Sequence, residues 1–192
     1  MITRKYSFLL LIPVLILAGC NSDNQSANES SPGGTFTLES ATGNVSLSDF
    51  QGKVVILYFG YTSCPDICPT SLITLASAIK LLDDEDKKHV QPVMISLDPE
   101  RDSPEKLKQY VSHFYPNMIG LTGSQEDIRR IAKNYRINFR KKSTESSINY
   151  LVDHSSVYFI IGRDGKLFTH LLYDATLEEI AEKIEHALSV QT

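Results

Sequence analysis

The stretch Val54-Val-Ile-Leu-Tyr-Phe-Gly-Tyr-Thr-Ser-Cys64-Pro-Asp-Ile-Cys68-Pro69 decides how the rest of the chain is read. Residues 54–59 form the short, uninterrupted apolar run expected of a strand covered on both faces. Downstream, apolar residues recur at helical spacing over 72–82. Cys64 and Cys68 stand between the two. A thiol placed where a strand ends and a helix begins meets unpaired amide groups and the positive end of the helix, and both favour the thiolate. Such a placement suits soft-metal or redox chemistry. The alternative is a structural disulfide, and it has little to offer here. In the chain-entropy model a closed loop of about five residues contributes about 2 kcal/mol, against about 4.7 for a loop of about a hundred.

A chain of 192 residues with 42% hydrophobic content supports one well-buried domain. The formal charge of −4 carries no broad footprint for nucleic acid, and Arg136, Arg140, Lys141 and Lys142 read as a solvated basic loop. Residues 1–19 read as an address. Arg4 and Lys5 precede an apolar core over 6–17 that is interrupted by Pro13 and short for a bilayer span. The core ends in Leu17-Ala18-Gly19-Cys20, which resembles the bacterial lipoprotein signal. That resemblance implies cleavage before Cys20 and lipid on its sulfur, with residues 20–34 as a Ser/Asn/Gly-rich tether. The expected location is extracytoplasmic, lipid-anchored to a bacterial membrane. Cys64 and Cys68 are then the remaining pair in a disulfide-permissive compartment.

The folded domain is expected over 35–192. Residues 36–38 and 45–47 suggest a small hairpin turning at Gly43-Asn44. The acidic run 83–86 reads as a solvated connection, and 90–97 as the next strand. Ser103-Pro104 is an N-cap followed by a first-turn proline, opening a helix to about 114. A short strand over 118–121 and a helix from Ser124 to about Tyr135 follow. Residues 139–149 are polar and weakly patterned, a loop or an irregular hairpin. Strands over 157–161 and 166–171 flank an Asp-Gly turn, and Leu177, Ile180, Ala181, Ile184 and Leu188 mark one face of a closing helix. The order describes an α/β sandwich of the thioredoxin type, a central mixed sheet flanked by helices, with the dithiol at the amino end of the first helix.

Two side chains four apart on a helix share a face, so the sulfurs can hold one ion or oxidise to a bridge. Two free cysteines fall short of a structural zinc cage or an iron–sulfur cluster. Thiolates select Cu(I), and an imidazole would suit Cu(II), so copper is the favoured ion, one per chain. His89, His113 and His186 read as surface residues, and His170 lies in an edge-like strand. His154 sits just before an apolar strand, in a loop that a thioredoxin-like sheet turns toward the dithiol; a solvent-facing role remains the alternative for it.

The chain also resembles the Sco (SenC) family of copper-handling proteins that assemble the dinuclear copper centre of cytochrome c oxidase. The resemblance rests on Gly52-Lys53, Phe59-Gly-Tyr-Thr62, Cys64-Pro-Asp-Ile-Cys68-Pro69, Ser96-Leu-Asp98-Pro99-Glu-Arg101-Asp102 and Asp153-His154-Ser155-Ser156. It implies Cys64, Cys68 and His154 as copper ligands, and the copper-acceptor subunit of the oxidase as partner of a monomeric soluble domain. Asp66, Asp98 and Asp153 also match family positions; they are candidates for support behind the ligands, Asp98 and Arg101 alternatively for shaping their loop. The rival function is enzymatic. A thiol–disulfide oxidoreductase would use the same pair to reduce the acceptor's cysteines, with Cys64 as nucleophile.

Overall fold

The computed structural model describes residues 32–144 and 150–190. The leader 1–19, the lipidation candidate Cys20 and most of the tether lie outside the described residues. A hairpin of β1 (Thr37–Ser40) and β2 (Gly43–Ser46) leads through a 3-10 turn (Leu47–Phe50) into β3 (Val54–Gly60). The helices α1 (Ile67–Leu81) and α2 (Asp84–Lys88) connect β3 to β4 (Val90–Ser96), and α3 (Pro104–Ser112) connects β4 to β5 (Ile119–Leu121). There follow α4 (Gln125–Asn134), β6 (Phe139–Ser143), β7 (Tyr150–His154), β8 (Val157–Ile161), β9 (Leu167–Leu172) and α5 (Leu177–Ser189).

The central sheet has the order β5-β4-β3-β8-β9. Its β3–β4–β5 half is parallel, joined by helical crossovers, while β8 and β9 are antiparallel additions. This is the mixed sheet expected of a thioredoxin-type sandwich. Every residue of β3 is buried, as its unbroken apolar run requires for a strand with helices on both sides. Alternation sends Tyr58 to one face, where it meets Tyr158 at 5.5 Å, and Tyr158 donates to the Ser71 carbonyl of α1 at 2.9 Å. Phe59 faces the other side and packs on Phe159 and on Tyr135 at the end of α4. α5 lies against α1 through its apolar face, including Ile180 and Ile184.

Four local expectations are corrected. The first hairpin turns at Ala41-Thr42, not at Gly43-Asn44, because the Ser40 hydroxyl accepts from the Thr42 amide and donates to the Gly43 carbonyl. The acidic run is not a plain connection: it forms α2, held by Lys87–Asp84 and Lys88–Glu85 pairs three residues apart. The polar segment after Ile137 forms a regular antiparallel ladder of β6 on β7, from Phe139↔His154 to Ser143↔Tyr150. Its strand character was hidden because all but the first residue of β6 is exposed, so no apolar alternation marks it. His154 is accordingly the last residue of a strand rather than a loop residue.

Candidate metal and redox site

The site grows from the carboxyl end of β3. Cys64 lies in the turn between β3 and α1, Asp66 occupies the N-cap position, and Cys68 is in the first turn of α1. Only Cys68 is helical, so the two sulfurs do not share a helix face as their spacing suggests. The turn instead folds the first sulfur back onto the helix tip, where Cys64 Sγ accepts the Cys68 amide at 3.4 Å. Pro69 is tolerated here because amides of a helix's first turn have no intrahelical acceptor. No disulfide joins the pair: Cys64 is half-buried and Cys68 fully buried, both as free thiols.

Their acidities are driven apart. A hydrogen bond from the Cys68 thiol, with backbone amides of Asp66 and Cys68 and the Tyr61 side chain, draws Cys64 down to about 5 despite partial burial. The same hydrogen bond between the two sulfurs, together with burial, pushes Cys68 up. The resting pair is thus an accessible Cys64 thiolate beside a buried Cys68 thiol. Tyr61, only 2% exposed, is pushed up to about 12, chiefly by burial.

His154 arrives from the end of β7. Its Nδ1 lies 3.0 Å from the Ser155 carbonyl, which can only accept, so this nitrogen carries the proton. The opposite nitrogen, Nε2, is left with its lone pair 3.6 Å from Cys68 Sγ. Burial lowers the pKa of the ring and so favours its neutral form. Tyr58 and Tyr61 meet it edge-on, at 6.5 and 6.1 Å between ring centres. Cys68 is therefore the hub, touching both other candidate donors. Among the described residues no three His, Cys, Asp or Glu side chains are drawn close enough to form a finished ion cage. An open hollow of about 400 Å³, lined by Asn138, Phe139, Arg140, Asp153, His154 and Ser155, leads to the imidazole.

The carboxylates divide. Asp66 is exposed and serves through its backbone. Asp153 is turned by strand alternation to the opposite face from His154 and pairs with Arg140 at 3.4 Å. Asp98 is fully buried, receiving the Tyr150 hydroxyl at 2.7 Å and the Arg101 guanidinium. Asp102, also fully buried, was not singled out from sequence as a site residue. It accepts the Thr62 amide at 2.9 Å, the Thr62 and Ser96 hydroxyls and the Lys106 ammonium, and so holds the turn that carries Cys64. Tyr58, Tyr61 and Tyr150 were likewise missed as site residues; their aromatic character is equally that of core packing. The other histidines stay apart: His113, His170 and His186 are exposed, and His89 lies beside Glu85.

A family model described as SCO1/SenC matches residues 24–189. The chain is 39% identical over 152 residues to a SCO2-like protein of Rickettsia felis, covering 78% of this chain and 74% of that protein. It is similar to the crystal structure of Arabidopsis thaliana ScoI with copper bound: the TM-score is 0.77 and the identity 38%, with 82% of this chain and 98% of that one covered. It also matches a structure of BsSco, a member of the Sco family of cytochrome c oxidase assembly proteins in which a disulfide switch was identified. There the TM-score is 0.64 and the identity 26%, covering 84% of this chain and 95% of that one.

Proposed function

This chain belongs to the SCO1/SenC family, and we propose that it is a copper metallochaperone that carries one copper on Cys64, Cys68 and His154. The observation that carries this reading is the contact of His154 Nε2, deprotonated by tautomer, with Cys68 Sγ at 3.6 Å. Two sulfurs and one neutral imidazole nitrogen are a soft set suited to Cu(I), with the nitrogen adding what Cu(II) favours. The low-lying Cys64 thiolate supplies one ligand without a proton to displace near neutral pH. Cys68 loses its proton on metal binding, and uptake is coupled to proton release. Partly exposed Cys64 closes the cage around the ion and also offers the route of exchange to an acceptor's cysteines. The acceptor is the copper subunit of cytochrome c oxidase, consistent with the description of the BsSco relative. Lipid on Cys20 anchors the domain, with residues 20–34 as its tether.

The paired acidities favour a second reading, a dithiol reductant of the acceptor. The Cys64 thiolate attacks the acceptor disulfide and expels one acceptor thiolate. Cys68, giving its proton to water, then attacks the mixed disulfide. The products are a Cys64–Cys68 disulfide and a reduced acceptor, so two electrons pass from this chain to its partner. Titration of the reduced protein with Cu(I), and separately equilibration in a dithiol redox buffer, tests both. If His154→Ala abolishes acceptor metallation while thiol exchange persists, copper carriage stands. If His154→Ala is silent while each cysteine variant is inactive, the exchange reading replaces it.

A further inference from the structure

The strand that ends in His154 has no ladder to the central sheet among the described residues: β6 and β7 pair only with each other. Hydrogen bonding within the hairpin fixes its own register, but not its position over the dithiol. That position is set at one end by the short link into β8, which pairs with β3, and along the rest of the hairpin by side chains. On β7, alternation places Tyr150, Val152 and His154 on one face, and Val152 is buried. At the far end of that face from His154, Tyr150 is held by three contacts from the turn after β4. Its hydroxyl donates to Asp98 Oδ1 at 2.7 Å, its carbonyl accepts Arg101 Nη1 at 3.0 Å, and the Arg101 guanidinium lies 3.7 Å from its ring centre. Arg101 Nε in turn donates to Asp98 Oδ2.

The opposite end of the same turn holds the cysteines. Ser96 Oγ accepts the Asp98 amide at 3.0 Å and donates to Asp102 at 2.7 Å, and Asp102 receives Thr62 two residues before Cys64. One rigid turn thus grips the histidine hairpin through Asp98 and the dithiol loop through Asp102. Both carboxylates are fully buried, a costly arrangement unless each is paired and hydrogen-bonded as here.

We propose that Tyr150, gripped by Asp98 and Arg101, is the positioning residue that sets the His154 imidazole against Cys68. The inference rests on His154 as a copper ligand for its metal-binding consequence, and on the hairpin geometry alone for its structural one. Tyr150→Phe removes only the hydroxyl and keeps the ring for Arg101. In the full chain it weakens Cu(II) binding about tenfold, the scale of lost support behind a ligand. Cu(I), held mainly by the thiolates, stays within about twofold of the parent. Added to His154→Ala, Tyr150→Phe has no further effect on Cu(II), because the two act through one imidazole. Asp98→Asn, which keeps an acceptor for the hydroxyl, shifts Cu(II) affinity in the same direction by less. Without metal, nuclear Overhauser contacts from the His154 ring to Tyr58 and Tyr61 weaken in Tyr150→Phe. A Tyr150→Phe protein with a lower Tm but unchanged Cu(II)-to-Cu(I) preference and unchanged ring contacts overturns the proposal. Should His154→Ala bind Cu(II) like the parent, the copper reading falls, and the metal-free ring contacts alone then decide whether Tyr150 positions the imidazole.

Discussion

His154 Nε2 stands 3.6 Å from the sulfur of Cys68, across 86 positions of chain. Neither residue could reach the other without the sheet. Cys68 is placed by the end of β3 and the start of α1, and His154 by a separate hairpin that turns directly into β8, the antiparallel neighbour of β3. The register Tyr58↔Tyr158 brings the start of β8 beside the end of β3, and so brings the imidazole to the helix tip.

Alkylation by iodoacetamide is expected to modify Cys64 first, with a rate that rises with pH through an inflection near 5, because the thiolate is the nucleophile and dominates above that value. Cys68, pushed the other way and buried, stays unmodified across the neutral range. Cys68→Ser is expected to change the Cys64 profile, since the Cys68 thiol is the largest cause of its depression. Peptide mass analysis over a pH series reads all three outcomes.

Asp102→Ala is expected to cost about 3 kcal/mol of stability, because it strands the Thr62 amide, the Ser96 hydroxyl and the Lys106 ammonium that the buried carboxylate satisfies. Asp102→Asn retains an acceptor and is expected to cost less. Urea denaturation of the two variants and the parent measures the difference, and equal stability of parent and alanine variant contradicts it.

Gly60 is the last residue of β3, and a Cβ there would lie 2.9 Å from the Tyr58 ring, 3.1 Å from Cys68 Sγ and 3.2 Å from the Met94 methyl. Gly60→Ala is therefore expected to destabilise the fold by about 1–3 kcal/mol through overpacking. It also pushes on the Cys68 sulfur, so its thiol reactivity is expected to change together with its denaturation midpoint. An alanine variant identical to the parent in both would show that the contact relaxes without consequence.

Much of this was legible in the sequence, for reasons that differ by element. The run 54–60 and the Ser103-Pro104 start carry their own signals, continuous burial in one case and capping chemistry in the other. Ser103 does accept the Lys106 amide, as an N-cap should. The β6 strand was legible only as one of two alternatives, a loop or an irregular hairpin, because Arg140, Lys141 and Lys142 face water and are ordered by a partner strand rather than by a core. Cys64 and Cys68 announced themselves by type and spacing, although their shared helix face did not survive. The grip of Asp98 on Tyr150 spans 52 positions, and Asp102 on Thr62 spans 40. Local pattern carries no trace of such pairings; they follow from how the turn after β4 meets two other loops.

The most direct test of the central claim is metal analysis of the anaerobically reduced protein after copper and zinc are offered together. One copper per chain, little zinc, and loss of copper in Cys64→Ser or Cys68→Ser is the predicted result. A reduced protein that takes zinc in preference, or that leaves copper in solution, contradicts it.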